Sequence, residues 1–245
     1  MMLKQTITEY LERHGFERFA PKAVLFDMDG VLYDSMPHHN IAWQQSMNEF
    51  GLIMPPMGAY QYEGMRGPET IQKLAREQWG RELSEEEAQR MYDRKSAIFT
   101  ELGGAEQMHG ILDLMHAMAD SGLTIGVVTG SGQRTLIGKL EKEFDGLIEA
   151  PHIVTSYDVR RGKPRPDPYL MGLQKCGVRP WEAIVVENAP LGVRAGVAAQ
   201  IFTVAVNTGP LPDLALSDEG ANIVLKDMVQ FLHVWQGELN RYCSK

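Results

Sequence analysis

The stretch Ala23-Val24-Leu25-Phe26-Asp27-Met28-Asp29-Gly30 decides the reading of this chain. Four consecutive apolar residues end abruptly in two carboxylates and a glycine. A continuous apolar run, rather than an alternating one, predicts a strand buried on both faces, as in a parallel sheet. Comparable runs lie at Thr124–Val128, 183–186 and 201–206, with weaker ones at Ile223–Leu225 and 152–154. Helical periodicity fills most of the intervals, over 111–121, 133–143, 168–176 and 191–199, and several of these patterns close at a glycine such as Gly122 or Gly177. Strands that alternate with helices predict a parallel sheet covered on both faces.

Residues 36–104 read differently. They hold helical patterns over 38–50, 68–79 and 84–100 and no convincing strand, and Ser84-Glu85-Glu86-Glu87 has the spacing of a capping box. Gly103-Gly104 then leads back into the alternating pattern. The expected fold is α/β, a doubly wound parallel-sheet (Rossmann-like) core with an inserted helical cap domain. Residues 21–35 and 105–245 would form the core, 36–104 the cap, and 1–20 an N-terminal extension with an amphipathic helix over 3–14.

Composition narrows the function classes without naming a chemistry. With 245 residues, 44 % hydrophobic and 23 % charged, the chain resembles an ordinary globular protein long enough to bury a core. A formal net charge of −8 opposes general binding to nucleic acid. Two cysteines make no disulfide framework and fit a reducing compartment. No apolar stretch approaches the roughly 18 residues of a membrane span, and the first residues lack a signal-peptide core. The expectation is a cytoplasmic monomer without membrane or nucleic-acid partners.

Ligands of open α/β sheets bind outside the carboxyl ends of the strands. Three of the apolar runs lead directly into polar segments: Asp27-Met28-Asp29-Gly30, then Thr129-Gly130-Ser131, then Glu187-Asn188. Carboxylates, a hydroxyl and an amide therefore collect on one rim. Alternation points Asp27 and Asp29 to one side, where two carboxylates repel unless a cation or a proton lies between them. Mg²⁺ suits that need, because it takes oxygen ligands and keeps room for a phosphate. Thr129 offers a hydroxyl, while Gly130 and Ser131 offer backbone N–H groups near a helix start, a seat for phosphate. Lys163, held in Gly162-Lys163-Pro164, supplies an ammonium that could offset the charge of a transferring phosphoryl group.

These four ordered segments resemble the motifs of the haloacid dehalogenase superfamily, from about residue 22 onward. The insert directly after the first motif is similar to the cap of the β-phosphoglucomutase-like subgroup. The resemblance implies Asp27 as a nucleophile that forms an aspartyl phosphate, Asp29 as general acid and then base, Thr129 as a phosphoryl ligand and Lys163 as its counter-charge. It also implies Mg²⁺ on Asp27, the carbonyl of Asp29 and Asn188, with Glu187 beside it. Gly130, Ser131 and Gln133 would contact substrate. The second aspartate of the first motif argues against the dehalogenase branch. Where the subgroup usually carries two acidic residues, Glu187-Asn188 has one, so a negative charge is missing near the metal.

The cap loop decides the substrate expectation. Sugar-phosphate mutases of the subgroup grip the non-reacting phosphate with Lys-Gly and a nearby Arg, whereas this chain reads Tyr62-Glu63-Gly64-Met65-Arg66. Glu63 in place of lysine should repel a sugar phosphate but could hold a metal–diphosphate complex, and Arg66 could still reach a phosphate. This Glu-Gly loop with Asn188 is similar to subgroup members that act as inorganic pyrophosphatases. His39 matches a histidine that couples cap to core in the mutases, with Trp43 one turn beyond it. The favoured reading is a Mg²⁺-dependent phosphohydrolase acting on pyrophosphate. The alternatives are β-phosphoglucomutase, a sugar-phosphate phosphatase and, from another class, a non-enzymatic binding protein.

Overall fold

In the computed structural model, which describes residues 2–130 and 135–243, the apolar runs form one six-stranded sheet with every neighbouring pair parallel. The strands are β1 (Ala23–Phe26), β2 (Thr124–Val128), β3 (Ile148–Val154), β4 (Ala183–Glu187), β5 (Phe202–Val206) and β6 (Ile223–Leu225). Their order is β3-β2-β1-β4-β5-β6. The chain winds outward from β1 to β3, then crosses back to start β4 on the other side of β1. That reversal opens a crevice above the carboxyl ends of β1 and β4, where Asp27 and Glu187 sit.

Strand alternation sorts the core into two layers. Val24 and Phe26 face a cluster that includes Leu114 and Met118 of α6 (Ile111–Asp120) and Phe231 of α11 (Met228–Val234). Leu25 faces the other way, onto Tyr169 and Leu173 of α8 (Asp167–Cys176) and Ala195 of α9 (Pro190–Ala198). α7 (Thr135–Glu143) lies beside β3 and the short α10 (Leu214–Ser217) against α9. The amino-terminal helix α1 (Met2–His14) belongs to the first layer: Leu3, Ile7 and Tyr10 are buried there. The Tyr10 hydroxyl donates to the Gln200 carbonyl at 2.9 Å, and its ring stands edge-on to Phe202 with centroids 5.4 Å apart. The extension thus completes the core on the face it covers.

Between Ser35 and Leu102 the chain forms α2 (Met36–Glu49), α3 (Gly58–Gln61), α4 (Gly67–Trp79) and α5 (Glu85–Glu101). Their apolar faces meet each other through Met47, Leu52, Ile71, Leu74 and Met91, a cluster separate from those on the sheet. The capping box forms at α5: the Glu87 amide donates to Ser84 Oγ at 3.2 Å, and the Ser84 amide donates to Glu87 Oε2 at 2.9 Å. The outgoing and returning connections run side by side, with Asp34 N–H donating to the Glu106 carbonyl and Met108 N–H to that of Leu32. No helix among the described residues is long and apolar enough to cross a membrane.

Candidate active site

β1 ends just before Asp27, whose amide still donates to the Val186 carbonyl of β4. The next residues turn back sharply: Gly30 N–H donates to the Tyr33 carbonyl at 2.7 Å and Leu32 N–H to that of Met28 at 2.8 Å. Gly30 adopts φ +78°, and a β-carbon there would lie 2.0 Å from Asn188 Nδ2. Glycine is required both for the turn and for the close approach of Asn188 from β4.

The turn gives the two aspartates different neighbours. Asp27 is buried and accepts a hydrogen bond from Lys163, whose ammonium also donates to Glu187 Oε1 at 2.6 Å and to the Val128 carbonyl at 3.2 Å. Burial, reinforced by the nearby charges of Glu187 and Asp29, pushes the Asp27 carboxyl up to about 7 despite the lysine. The Asp27 and Glu187 carboxylates overcome burial at Lys163 and hold its ammonium charged, above the ordinary lysine range. Asp29 Oδ1 instead accepts from Ser35 Oγ at 2.6 Å and pairs with His39 Nε2 at 3.1 Å. Burial opposes ionisation of Asp29, but His39 and Ser35 outweigh it and bring the carboxyl down to about 2.

Behind His39 lies a residue that sequence reasoning missed. Lys95 of α5 is 3 % exposed, and its Nζ is 2.6 Å from His39 Nδ1. The rings of Trp43 and Phe99 each stand 5.2 Å from that nitrogen. Burial lowers the Lys95 ammonium to about 8, partly offset by Asp29, and burial together with Lys95 lowers His39. The signal was in the helix pattern: Ala88, Met91, Lys95 and Ile98 fall on one face, so Lys95 interrupts an apolar stripe.

Glu63 reaches into the same crevice from the cap loop. Its Oε2 accepts from Asn188 Nδ2 at 3.3 Å, while its Oε1 and Asn188 Oδ1 are fully covered and have no hydrogen-bond partner. Burial, then the charges of Asp27, Glu187 and Asp29, push the Glu63 carboxyl far above its ordinary range. Gly64, at φ +85°, lies against the Lys163 stem so closely that a β-carbon would meet Lys163 Cδ at 2.9 Å. Two orphaned oxygen acceptors beside ionisable carboxylates form a donor set suited to a hard cation. Glu187 is not part of that opening. Its Oε1 takes Lys163 and the Tyr169 hydroxyl, each at 2.6 Å, and its Oε2 takes the amides of Asn188 and Ala189. Among the described residues no trio of His, Cys, Asp and Glu forms a cation cage. The available acceptors are an amide and a cap carboxylate.

A cavity of about 170 Å³ opens between sheet and insert, lined by Asp27, Asp29, Glu63, Gly130, Lys95 and Lys139 among others. Thr129 is buried on its flank beside Lys163, with its amide donating to the Val154 carbonyl. Arg66, just before α4, does not line that cavity but lines the small pocket beside Thr129 and Lys163, 3.5 Å from both Glu69 of α4 and Glu85 of α5. Ser131 and Gln133 fall outside the described residues.

The model of the family "Haloacid dehalogenase-like hydrolase" matches residues 24–206, which hold this whole constellation. The chain belongs to that family. Hexitol phosphatase A of Escherichia coli (strain K12) is 33 % identical over 187 residues, which cover 76 % of this chain and 83 % of that protein. "Putative pyrophosphatase PpaX" of Caldanaerobacter subterraneus subsp. tengcongensis is 25 % identical over 88 % of this chain and 94 % of its own. A solved structure described as "Putative beta-phosphoglucomutase from Bacteroides vulgatus" superposes with TM-score 0.95 at 46 % identity, covering 100 % of this chain and 99 % of that one. This haloacid dehalogenase-like hydrolase is therefore an enzyme of the phosphatase and phosphotransferase class, in the β-phosphoglucomutase-like subgroup.

Proposed function

We propose that the enzyme is a Mg²⁺-dependent phosphohydrolase that works through an aspartyl phosphate on Asp27 and prefers inorganic pyrophosphate. One observation carries the preference: the cap presents a carboxylate, Glu63, to the reacting end of the cavity, with an orphaned oxygen beside that of Asn188. At about 4 Å a carboxylate in place of an ammonium changes the interaction with a phosphate by several kcal/mol at the effective dielectric near a protein surface. A bare second phosphate on a sugar would find no cationic grip there, while a cation-bridged diphosphate would supply what both orphaned oxygens lack. Mg²⁺, when bound, neutralises the phosphoryl oxygens; Asp27, the Asp29 carbonyl, Asn188 and Glu63 would hold it.

The chain's own groups then divide the reaction. The Asp27 carboxylate attacks the near phosphorus, the P–O bond to the far phosphate breaks, and Lys163 offsets the charge of the transferring group. Asp29, held ionised by Ser35 and His39, takes the proton of the water that later cleaves the aspartyl phosphate. Phosphate departs as a stable anion, whereas a sugar alkoxide needs a proton in the first step. The similarity to the PpaX protein supports the reading. The similarity to hexitol phosphatase A favours a second one, a sugar-phosphate phosphatase.

The test is a paired assay on purified enzyme at millimolar Mg²⁺, following phosphate release from pyrophosphate and turnover of β-glucose 1-phosphate. Faster release from pyrophosphate is expected. Glucose 6-phosphate formation, or faster release from the sugar phosphate, would overturn the preference.

A further inference from the structure

Tyr169 is a buried ionisable side chain beside the site's carboxylates that the proposed chemistry does not use. It lies on the first turn of α8, is 0 % exposed, and points its hydroxyl at Glu187 Oε1, 2.6 Å away. Its ring stands under the Lys163 ammonium, 5.1 Å from Nζ to centroid. Burial and the charge of Glu187 push the phenol well above its ordinary range, so it remains a donor. Glu187 is gripped from every side: Lys163 and Tyr169 on one oxygen, the amides of Asn188 and Ala189 on the other, and Gly192 of α9 behind it. A β-carbon at Gly192 would lie 1.9 Å from Oε1, so the carboxylate has no alternative seat on that side.

We infer that Tyr169 is a positioning residue, which clamps Glu187 so that Lys163 stays aimed at Asp27 as the phosphoryl group arrives. The inference rests on the reading of Asp27 as nucleophile and Lys163 as its counter-charge. Lys163 is shared by two carboxylates. When Asp27 attacks phosphorus its negative charge is lost to the new bond, and the ammonium must swing from that carboxylate toward the phosphoryl oxygens. Glu187 is the pivot of that swing. A pivot with a free lone pair on the shared oxygen would draw the ammonium off Asp27 and lengthen its reach. The phenol fills that place, while the ring beneath limits where the ammonium can go.

Tyr169→Phe keeps the ring and removes only the hydroxyl. Its kcat is expected to fall about 10- to 100-fold, the equivalent of one hydrogen bond to a charged group, with KM changed less than about threefold and Tm within a few degrees of wild type. Because Tyr169 acts through Glu187, Tyr169→Phe added to Glu187→Gln should cost much less than it does in the wild type. A third readout needs no turnover. In protein labelled with ¹⁵N-lysine, the Lys163 Nζ signal, identified by its loss in Lys163→Arg, should be sharp in the wild type and broadened in Tyr169→Phe. Unchanged kcat, a loss confined to KM, losses that multiply fully in the double variant, or an unchanged Lys163 signal would each overturn the inference. Failure of the underlying reading shows separately, as turnover that survives Asp27→Asn.

Discussion

The part of the active site built into the sheet and the part facing the helical insert are both buried, but they are satisfied to different degrees. Around Glu187 every carboxylate oxygen has two donors, supplied by Lys163, Tyr169 and two backbone amides. At the seam, Glu63 Oε1 and Asn188 Oδ1 have none. An unpaired buried polar group costs about 1–3 kcal/mol, so leaving two of them open is tolerated where a ligand supplies their partners. The comparison teaches that the sheet side is organised before substrate arrives and the cap side is organised by it. On the proposed function, the chemistry of transfer belongs to the first, and the choice of substrate to the second.

The largest effect should come from breaking the organised side. Asp27→Asn keeps the shape and one oxygen that can accept from Lys163 but removes the nucleophilic carboxylate, and turnover of every phosphate substrate should fall at least about 1,000-fold with the circular dichroism spectrum unchanged. Activity within tenfold of wild type would show that Asp27 is not the attacking group. At the seam, Gly64→Ala should be next in size. The alanine would have to hold φ near +85° and push against the Lys163 stem, so pyrophosphate turnover is expected to fall about tenfold or more with little change in Tm. Wild-type rates in that variant would show that the cap loop does not need to seat on Lys163.

The smallest effect is one of stability and has the opposite sign. Burial lowers Lys95 from 10.5 to about 8. The unfolded chain therefore binds that proton more tightly, the charged lysine penalises the fold below about pH 8, and stability recovers as pH rises toward 10.5. Lys95→Met should raise Tm at pH 7 by a few degrees, with an upper bound of about 3 kcal/mol, and flatten the rise of stability between pH 8 and 10.5. A lower Tm in this variant would mean that Asp29 and the surrounding rings more than offset the burial of the charge.

The same division governs what the sequence alone reveals. Asp27, Thr129 and Asn188 are legible because strand ends are where an open sheet gathers its chemistry, and four of the six strands announce themselves as largely apolar runs; Lys163 is legible from its Gly-Lys-Pro loop. β3 is legible only from residue 152 onward. It is an edge strand whose middle, Glu149-Ala150-Pro151, is exposed, so no buried run marks its start. Glu63 stands out because its charge is wrong for a sugar phosphate. Tyr169 and Lys95 are not legible as site residues: a tyrosine in an amphipathic helix reads as core, and a lysine reads as solvated face. Only the packing of α8 on β1 and of α5 on α2 turns those two side chains inward. Arg66 is an intermediate case: it sits beside Glu69 and Glu85, yet it lines the small pocket that also holds Thr129 and Lys163.

The most direct test compares kcat/KM for pyrophosphate with kcat/KM for a small aryl phosphate, in the wild type and in Glu63→Gln. The aryl ester needs the sheet side of the site but presents no second phosphate to the seam. If Glu63 selects the cation-bridged diphosphate, the ratio of the two values should fall at least about tenfold in the variant, the loss of one interaction with a charged group. A ratio unchanged by the substitution would mean that the cap carboxylate does not choose the substrate.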